Sequence, residues 1–408
     1  MNAMKQMNRW ITGFLLVICA LLGSGSAMAQ LDLDELSPED QNLLAISVQS
    51  IDEGLSEAVV ADFDYLAQKY PKNYIVQYER LYTMYLLGRY DELIKKRKFM
   101  LNHKYTNAAT YQIIGNAYDM AGNSKEAAKV YNQGLKKYPE SGSLYLEFGT
   151  LCRKDEDYEK ALIYYNKGIV ADPNFASNYY RASDLLISSE KGKVWGLVYA
   201  ESAILLAPSD ESRHEDLAKM IIFCLKNSIT TNYEDSIVVS VKLTPTRGMT
   251  ADKAMQNVYI EFPGIYEGAL CKPLTKLAVE KTPFVGDIPQ LIELRKGLVE
   301  NYFSITDDLY GNSMYLLEFQ KRIIDAGHWD AYNYFLFSPC YPEEFEKWFE
   351  THDKELEKFV NWFNNTGYRL GDGRSVDYIQ IFSSYRPLNI IESLMIQSEL
   401  LSETEKKE

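Results

Sequence analysis

Histidines suited to acid–base or metal chemistry are few, since the 408-residue chain contains only four. His328 has the neighbourhood best suited to a reactive site, because the aromatic stretch 328–335 could line a pocket around a general base. The same residues fit a simpler interpretation, in which Gly327 ends a helix and His328 packs beneath Trp329. We favour the simpler interpretation and keep an enzyme with a site near His328 as an alternative.

The remaining histidines do not suggest a catalytic group. His103 and His214 fall at polar helix ends and are predicted to be solvated, whereas His352 falls on an apolar helical stripe and is predicted to be a core residue. The sequence has no G-x-S-x-G elbow, no H-E-x-x-H helix and no phosphate-binding glycine loop. We therefore predict a protein that is not an enzyme and that uses no cofactor or metal ion.

Four cysteines follow residue 29, namely Cys152, Cys224, Cys271 and Cys340, and none of them forms a C-x-x-C pair. A helical chain of this size does not need disulfides, so Cys152 and Cys224 are predicted to be free thiols packed as small apolar groups. Cys271 and Cys340 are the one pair considered for a bridge, and free thiols are favoured there as well.

An internal repeat is the strongest pattern in the sequence. Six positions recur at one constant spacing in two successive units, with one change of residue type: Gly115, Tyr118, Ala127, Tyr131, Gly134 and Pro139 are followed by Gly149, Cys152, Ala161, Tyr165, Gly168 and Pro173. The pattern resembles the tetratricopeptide repeat, a helix–turn–helix unit with the same period. This resemblance covers about half of the chain and implies an all-α helical-repeat solenoid.

The recurring residues have physical roles in such a unit. Gly115 and Ala127 allow the two helices of a pair to approach closely, and Tyr131 fills the gap between neighbouring helices. Pro139 ends the second helix because proline cannot continue one. Weaker copies on both sides predict about five helix pairs between Pro38 and Pro208, and a closing helix follows up to residue 228.

The period disappears after residue 228, although helical patterns continue. We predict a second α-helical region over residues 229–401, with helices near Asp287, Ser313 and Pro342, and a charged tail over residues 402–408. The β-branched run 237–243 fits either a strand or a helix end. The glycines around Asp372 indicate a small β-hairpin between residues 368 and 378.

A second resemblance concerns this C-terminal region. The stretch Asp325-Ala326-Gly327-His328-Trp329 precedes an aromatic-rich helix. It resembles a group of exported bacterial repeat proteins with no assigned role. The resemblance implies an all-helical region after the repeats and implies no activity.

The tetratricopeptide resemblance also implies a binding groove, because the first helix of each pair lines the concave face of such a solenoid. The residues projected into the groove are Tyr78, Tyr82, Tyr85, Gln112, Asn116, Asp119, Arg153, Tyr180 and Asp184. The three tyrosines on one helix have the spacing i, i+4 and i+7 and are predicted to form an aromatic strip.

The groove residues limit the kind of ligand. Repeat proteins that hold a terminal carboxylate place a lysine one turn before an asparagine, and Gln112 stands there instead, before Asn116. A groove of aromatic rings and amides favours a protein or extended-peptide partner. A glycan stacked on the tyrosines, within an envelope uptake system, is the alternative.

The N-terminus predicts export. Lys5 and Arg9 precede the apolar run 11–22, and Ala27-Met28-Ala29 forms a cleavage site before residue 30. We expect residues 1–29 to be a signal peptide, residues 30–37 a linker and residues 38–228 the solenoid. The product would be periplasmic or secreted, with no transmembrane segment in the mature chain.

The net charge of −14 disfavours nucleic acid as a partner, because phosphates would be repelled. The sequence leaves the oligomeric state open.

Overall fold

The structure is a computed structural model that describes residues 33–51, 54–189, 192–232, 238–241, 262–280, 282–306 and 314–371. The predicted signal peptide and charged tail lie outside these residues. Contacts divide the chain into two units that meet in sequence between Asp172 and Pro173. We predicted from the sequence that the solenoid extends to residue 228. In the structure, residues 173–228 have more contacts with the C-terminal region and belong to the same unit.

The first unit consists of four helix pairs. Its helices are α1 (Pro38–Ile51), α2 (Glu57–Lys69), α3 (Tyr74–Leu86), α4 (Tyr90–Leu101), α5 (Ala108–Met120), α6 (Ser124–Lys137), α7 (Gly142–Lys154) and α8 (Tyr158–Ala171). The helices of each pair contact each other, and the first helices α3, α5 and α7 also contact in succession. Helices α3, α5 and α7 begin at evenly spaced positions, one repeat period apart, as the sequence predicts.

Short polar side chains start the helices of this unit. The side chains of Asn73, Asn107, Asn123, Ser141 and Asp157 each accept a hydrogen bond from a backbone N–H of the first helical turn. These bonds satisfy donors that have no partner within the helix. The pattern recurs because the turns inside the pairs and those between them must each restart a helix.

The turns inside the pairs use one backbone position with positive φ. Gly88 and Gly122 have φ of +70° and +80°, and Glu156, at the equivalent position of the next repeat, has φ of +61°. Glycine adopts this conformation without steric cost, whereas glutamate is strained in it by about 1 kcal/mol. The turn geometry is therefore kept in the third copy although its glycine is missing.

A tyrosine ring packed on a bare glycine sets the distance between helices in two pairs. A Cβ atom on Gly115 would lie 2.0 Å from a ring carbon of Tyr131, and one on Gly149 would lie 2.3 Å from Tyr165. Both tyrosines are fully buried. The close approach that the sequence predicted at Gly115 is confirmed, and it recurs in the next repeat with the same partner type.

The second unit begins with the fifth helix pair. Its elements are α9 (Ala176–Ser188), α10 (Lys193–Leu206), α11 (Glu211–Ser228), β1 (Ile229–Asn232), β2 (Val238–Val241), α12 (Phe262–Val279), α13 (Ile288–Thr306), α14 (Tyr315–Asp325), α15 (Trp329–Phe337) and α16 (Pro342–Thr366). The described chain is thus all-α apart from the short strands, with tetratricopeptide-like helix pairs. None of its described helices is both long and apolar enough to cross a membrane.

The predicted C-terminal helices are present. Asp287 Oδ1 accepts a hydrogen bond from Gln290 N at 2.9 Å at the start of α13, as expected of a cap. Gly327 has φ of +74° and ends α14, which confirms its predicted role as a helix cap. Helix α12 had no specific sequence signal and contains Pro273, whose ring packs against the space left by Gly297 of α13.

The strands resolve one sequence ambiguity. Strands β1 and β2 pair antiparallel, with Ile229 opposite Val241, so the run 237–243 contains a strand and not a helix end. The hairpin predicted between residues 368 and 378 lies largely outside the described residues. Before it, the Asn174 side chain makes two 2.9 Å hydrogen bonds with the backbone of Leu370.

Replacement of Gly149 by leucine tests the close helix contact. We expect a loss of stability of roughly 1–3 kcal/mol, because the side chain must displace the buried Tyr165 ring. Thermal unfolding of Gly149→Leu and of the control Glu159→Leu, at an exposed position of the partner helix α8, measures it. Equal melting temperatures for the two variants would contradict the contact.

Candidate binding surface

Seven of the nine residues that sequence reasoning placed in the groove are on neighbouring first helices of the first unit. Tyr78, Tyr82 and Tyr85 lie on α3, Gln112, Asn116 and Asp119 on α5, and Arg153 on α7. Since α3 contacts α5 and α5 contacts α7, equivalent positions of the repeats follow one another across the three helices. We call this set of seven residues the first-helix surface.

The three tyrosines of α3 differ in exposure. Tyr82 is 37% exposed, whereas Tyr78 and Tyr85 are half-buried. The Tyr78 ring stacks on Tyr74 with 6.2 Å between centroids, and burial raises the pKa of its hydroxyl. Tyr85 packs against Tyr90 at 5.7 Å and interacts with the Asn116 side chain. Of these three tyrosines, only Tyr82 therefore exposes its ring to solvent, as the predicted aromatic strip requires.

Glu147 of α7 organises the amides of α5, a role that the sequence analysis missed. Its Oε1 accepts hydrogen bonds from Gln112 Nε2 at 2.8 Å and from Asn116 Nδ2 at 3.2 Å. The Tyr131 hydroxyl donates to Asn116 Oδ1 at 2.5 Å. The amides thus connect α5 with α6 and α7.

The C-terminal end of the surface is held by an ion pair. Lys154 Nζ lies 2.9 Å from Asp119 Oδ1, and Ser124 Oγ donates to the same oxygen at 2.7 Å. Arg153, one residue before Lys154, is half-buried. The predicted residues Asp119 and Arg153 therefore lie beside a lysine that balances the aspartate charge.

Glu79 holds the position in the second pair that Glu147 holds in the fourth, and it is more deeply buried. The residue is 3% exposed, and its Oε1 has no hydrogen-bond partner in the described part of the chain. Burial raises the pKa of this carboxyl to about 7. A buried carboxyl oxygen without a donor makes ionisation costly. A proton on Glu79 therefore stabilises helix α3 near neutral pH.

The stability of α3 should depend on pH through Glu79. The pKa of Glu79 is raised from the ordinary 4.5 to about 7 in the folded chain. The stability that protonated Glu79 contributes is therefore fully present below pH 4.5 and is lost as the pH rises through 7. Between these two pH values the free energy of unfolding should fall by up to roughly 3 kcal/mol, and Glu79→Gln should abolish this fall. Hydrogen exchange of α3 at pH 5 and pH 8, corrected for intrinsic exchange, measures the difference.

The control for this experiment is Glu140→Gln, which changes an exposed glutamate of the same unit. It should leave the pH dependence of α3 exchange unchanged. If Glu79→Gln instead leaves the pH dependence of α3 exchange unchanged as well, then Glu79 ionises in the folded chain without loss of stability, which would contradict the raised pKa.

Tyr180 and Asp184, the last predicted groove residues, belong to the second unit. The Tyr180 hydroxyl donates to Asp216 Oδ2 at 3.3 Å, and the Arg213 guanidinium lies 5.3 Å from the ring centroid. Asp184 is half-buried on the same helix, α9. Tyr180 therefore connects α9 with α11.

A buried polar cluster lies in the second unit and was not foreseen. Glu201 of α10 is ion-paired with Arg295 of α13, and both are almost fully buried. Gln320 Nε2 donates to Glu201 Oε1 at 2.6 Å, and the Tyr332 hydroxyl donates to the same oxygen. Arg295 also donates to Asn333 Oδ1. The cluster joins α10 to α13, α14 and α15.

Aromatic rings surround the Arg295 guanidinium. Trp329, Tyr332 and Phe337 have ring centroids 5.3, 5.3 and 5.4 Å from its central carbon. Rings at this distance attract a cation through their electron-rich faces. They help to offset the loss of hydration that burial imposes on the charge. Helix α10 is thereby held in the second unit, which explains why contacts group it there.

The losses of stability on removal of the two partners of the Glu201–Arg295 ion pair should not add. Arg295→Met or Glu201→Leu alone should cost roughly 3–5 kcal/mol, because each leaves a buried charge unpaired. The double variant should cost clearly less than the sum. Thermal unfolding of the three variants, with the exposed Glu215→Gln as a control, measures the coupling. Additive losses would contradict a buried ion pair.

The structure corrects the prediction that His214 is solvated. His214 is 4% exposed and not solvated, because α11 packs against α15 there. Its Nε2 lies 2.9 Å from the backbone oxygen of Leu336, and its ring centroid lies 4.9 Å from that of Phe335. Burial lowers the pKa of His214 to about 4, so the ring is neutral at physiological pH.

His328 precedes α15 and is half-buried against aromatic rings. Its ring centroid lies 5.6 Å from Trp362 and 6.3 Å from Phe359, and burial lowers its pKa. The ring forms no hydrogen bond with any described residue. His352 stacks on Trp348 at 4.9 Å and is only half-buried, at a kink in α16. His103 is also half-buried and stacks on Tyr74.

The four cysteines after residue 29 are free thiols. Cys152 and Cys224 are buried, Cys271 is exposed and Cys340 is half-buried. Burial raises the pKa of each thiol. No group of three or more potential metal-ligating side chains lies together in the described part of the chain.

No protein-family model and no curated protein sequence matches this chain. Among solved structures, a crystal structure of MamA is 18% identical in sequence, with a TM-score of 0.30 over 43% of this chain and 97% of the MamA chain. That score is too low to support an argument. The class of the protein, a tetratricopeptide-like all-α helical repeat, therefore rests on its own helix pairs and their regular spacing.

Proposed function

We propose that this chain is an exported scaffold that binds a protein or peptide partner along α3, α5 and α7. The observation that carries the proposal is the succession of the seven first-helix residues across three neighbouring helices. Stacked helix pairs give extended surfaces that suit an elongated ligand. An exposed tyrosine at such a position is a typical anchor for a protein partner.

The bonds among the surface residues support a pre-organised binding face. Glu147 fixes Gln112 and Asn116, and Lys154 fixes Asp119. Side chains that are already ordered lose little entropy when a partner binds. The polar residues of α5 thus lie on the helix next to that of Tyr82, where their carboxylate and amide oxygens can accept hydrogen bonds from the N–H groups of a peptide backbone.

The tyrosine geometry favours a peptide over a glycan. Sugar rings that stack in succession need consecutive exposed aromatic faces. Tyr78 and Tyr85 are half-buried against Tyr74 and Tyr90, and only Tyr82 among the three is exposed. One exposed aromatic ring is enough to bind a side chain of a peptide, so a peptide suits this surface better.

Replacement of Tyr82 by alanine tests the binding function. We expect partner capture from the native envelope to fall by about tenfold or more, as for an aromatic anchor, while the melting temperature changes little. The matched control is Tyr65→Ala, which removes an exposed tyrosine from the second helix α2. Pull-downs with quantitative mass spectrometry compare the two. Equal capture by both variants would contradict a binding role for the surface.

Export is the second part of the proposal and rests on residues 1–29. The positive segment, the apolar run and the Ala27-Met28-Ala29 site are typical of a cleaved signal peptide. Sequencing of the N-terminus of the protein from its native host should give Gln30 as the first residue. A mature envelope protein that retains Met1 would contradict cleavage.

A further inference from the structure

The last residues of the three first helices form a row. Leu86 ends α3, Met120 ends α5 and Lys154 ends α7. Leu86 is 44% exposed and Met120 is 57% exposed, and Tyr82 lies one helical turn before Leu86. Because α3, α5 and α7 contact in succession, these equivalent positions are neighbours. We call Leu86, Met120 and Lys154 the terminal row.

The spacing of the row selects the conformation of an occupant. Packed helices lie about 8–10 Å apart, and an extended peptide in the polyproline II conformation advances about 3.1 Å per residue, with every third side chain on the same face. Three residues of extended chain therefore span the distance from one helix to the next. A peptide that crosses the row would place side chains i and i+3 over Leu86 and Met120, and side chain i+6 beside Lys154.

The turns that follow the row change in charge from one pair to the next. Leu87-Gly88-Arg89 follows α3, Ala121-Gly122-Asn123 follows α5 and Asp155-Glu156-Asp157 follows α7. All three acidic residues of the last turn are exposed, and Lys154 is already paired with Asp119. The C-terminal end of a helix is also the negative end of its dipole. The acidic turn next to Lys154, and not the lysine itself, is therefore suited to bind a cation.

We propose, on the basis of the proposed function, that the partner binds as an extended segment with apolar side chains at i and i+3 and a lysine or arginine at i+6. The apolar side chains contact Tyr82, Leu86 and Met120. The cation lies next to the acidic turn 155–157. Charge complementarity places the cationic end of the segment at α7 and its apolar end at α3.

A displayed library of random nonapeptides, selected on the full chain, tests the segment. Enriched peptides should carry apolar residues three apart, followed three residues later by lysine or arginine. Synthetic peptides of the enriched sequence, labelled for fluorescence anisotropy, then measure affinity. The same peptide with glutamate at i+6 should bind about fivefold or more weakly, and salt should reduce this difference.

Variants of the chain locate the binding site of the enriched peptide. Leu86→Ser combined with Met120→Ser should weaken binding about tenfold or more, since both apolar contacts are lost. Asp155→Asn combined with Glu156→Gln should remove the preference for the cation. Ile46→Ser, at a residue of α1 that is 53% exposed, is the control and should leave affinity unchanged.

The outcomes separate this inference from the proposed function. Peptides that lose affinity in Tyr82→Ala but not in the Leu86 and Met120 variant would overturn the terminal row and leave the binding function intact. Enriched sequences without the i, i+3, i+6 pattern would do the same. Peptides unaffected by any of these changes, or no enrichment at all, would overturn both.

Discussion

In the central helix pairs, a tyrosine ring lies directly on the backbone of a glycine. Any side chain at Gly115 or Gly149 would overlap the ring of Tyr131 or Tyr165, so each pair has one close separation and one register. Because both contacts recur at the spacing of the repeat, successive pairs have the same internal geometry. This regularity brings equivalent residues of α5 and α7 next to one another, and α3 contacts α5 although Leu81 stands at its glycine position.

Equivalent positions of the repeat make different interactions where the residue type or its neighbours differ between pairs. In the fourth pair, Glu147 receives two amide donors from α5, whereas the same position in the second pair leaves Oε1 of Glu79 without a donor among the described residues. The turn position that holds Gly88 and Gly122 holds the strained Glu156 in the fourth pair. The backbone is thus kept along the unit while its charge and hydrogen bonding vary, which gives each part of the surface its own chemistry.

Features with a local cause could be predicted from the sequence. The Gly149 contact, the Asp287 cap and the Gly327 helix end each depend on residues close in sequence or on the repeat period. The Glu201–Arg295 pair joins residues 94 apart in sequence without any periodic signal, and His214 is buried by a helix that the repeat does not include. Such contacts depend on how nonrepetitive helices meet, and no single pattern in the sequence encodes them.

Sequence reasoning located the groove residues on their helices but did not predict the hydrogen bonds between them. Helical spacing identified Gln112 and Asn116, but their common partner Glu147 lies on the next first helix and was overlooked. Comparison of equivalent positions in different repeats would have placed Glu79 and Glu147 together and drawn attention to both. Burial of Tyr78 could not be deduced in this way, because neighbouring rings and not spacing determine it.

The central claim is that the partner contacts the first helices and not the second helices. The most direct measurement is photo-crosslinking in the native host, with a benzophenone amino acid at position 82 of α3 or at position 65 of α2, both of which carry exposed tyrosines. The account predicts a discrete crosslinked partner from position 82 and none from position 65. The same partner from position 65, with none from position 82, would contradict it.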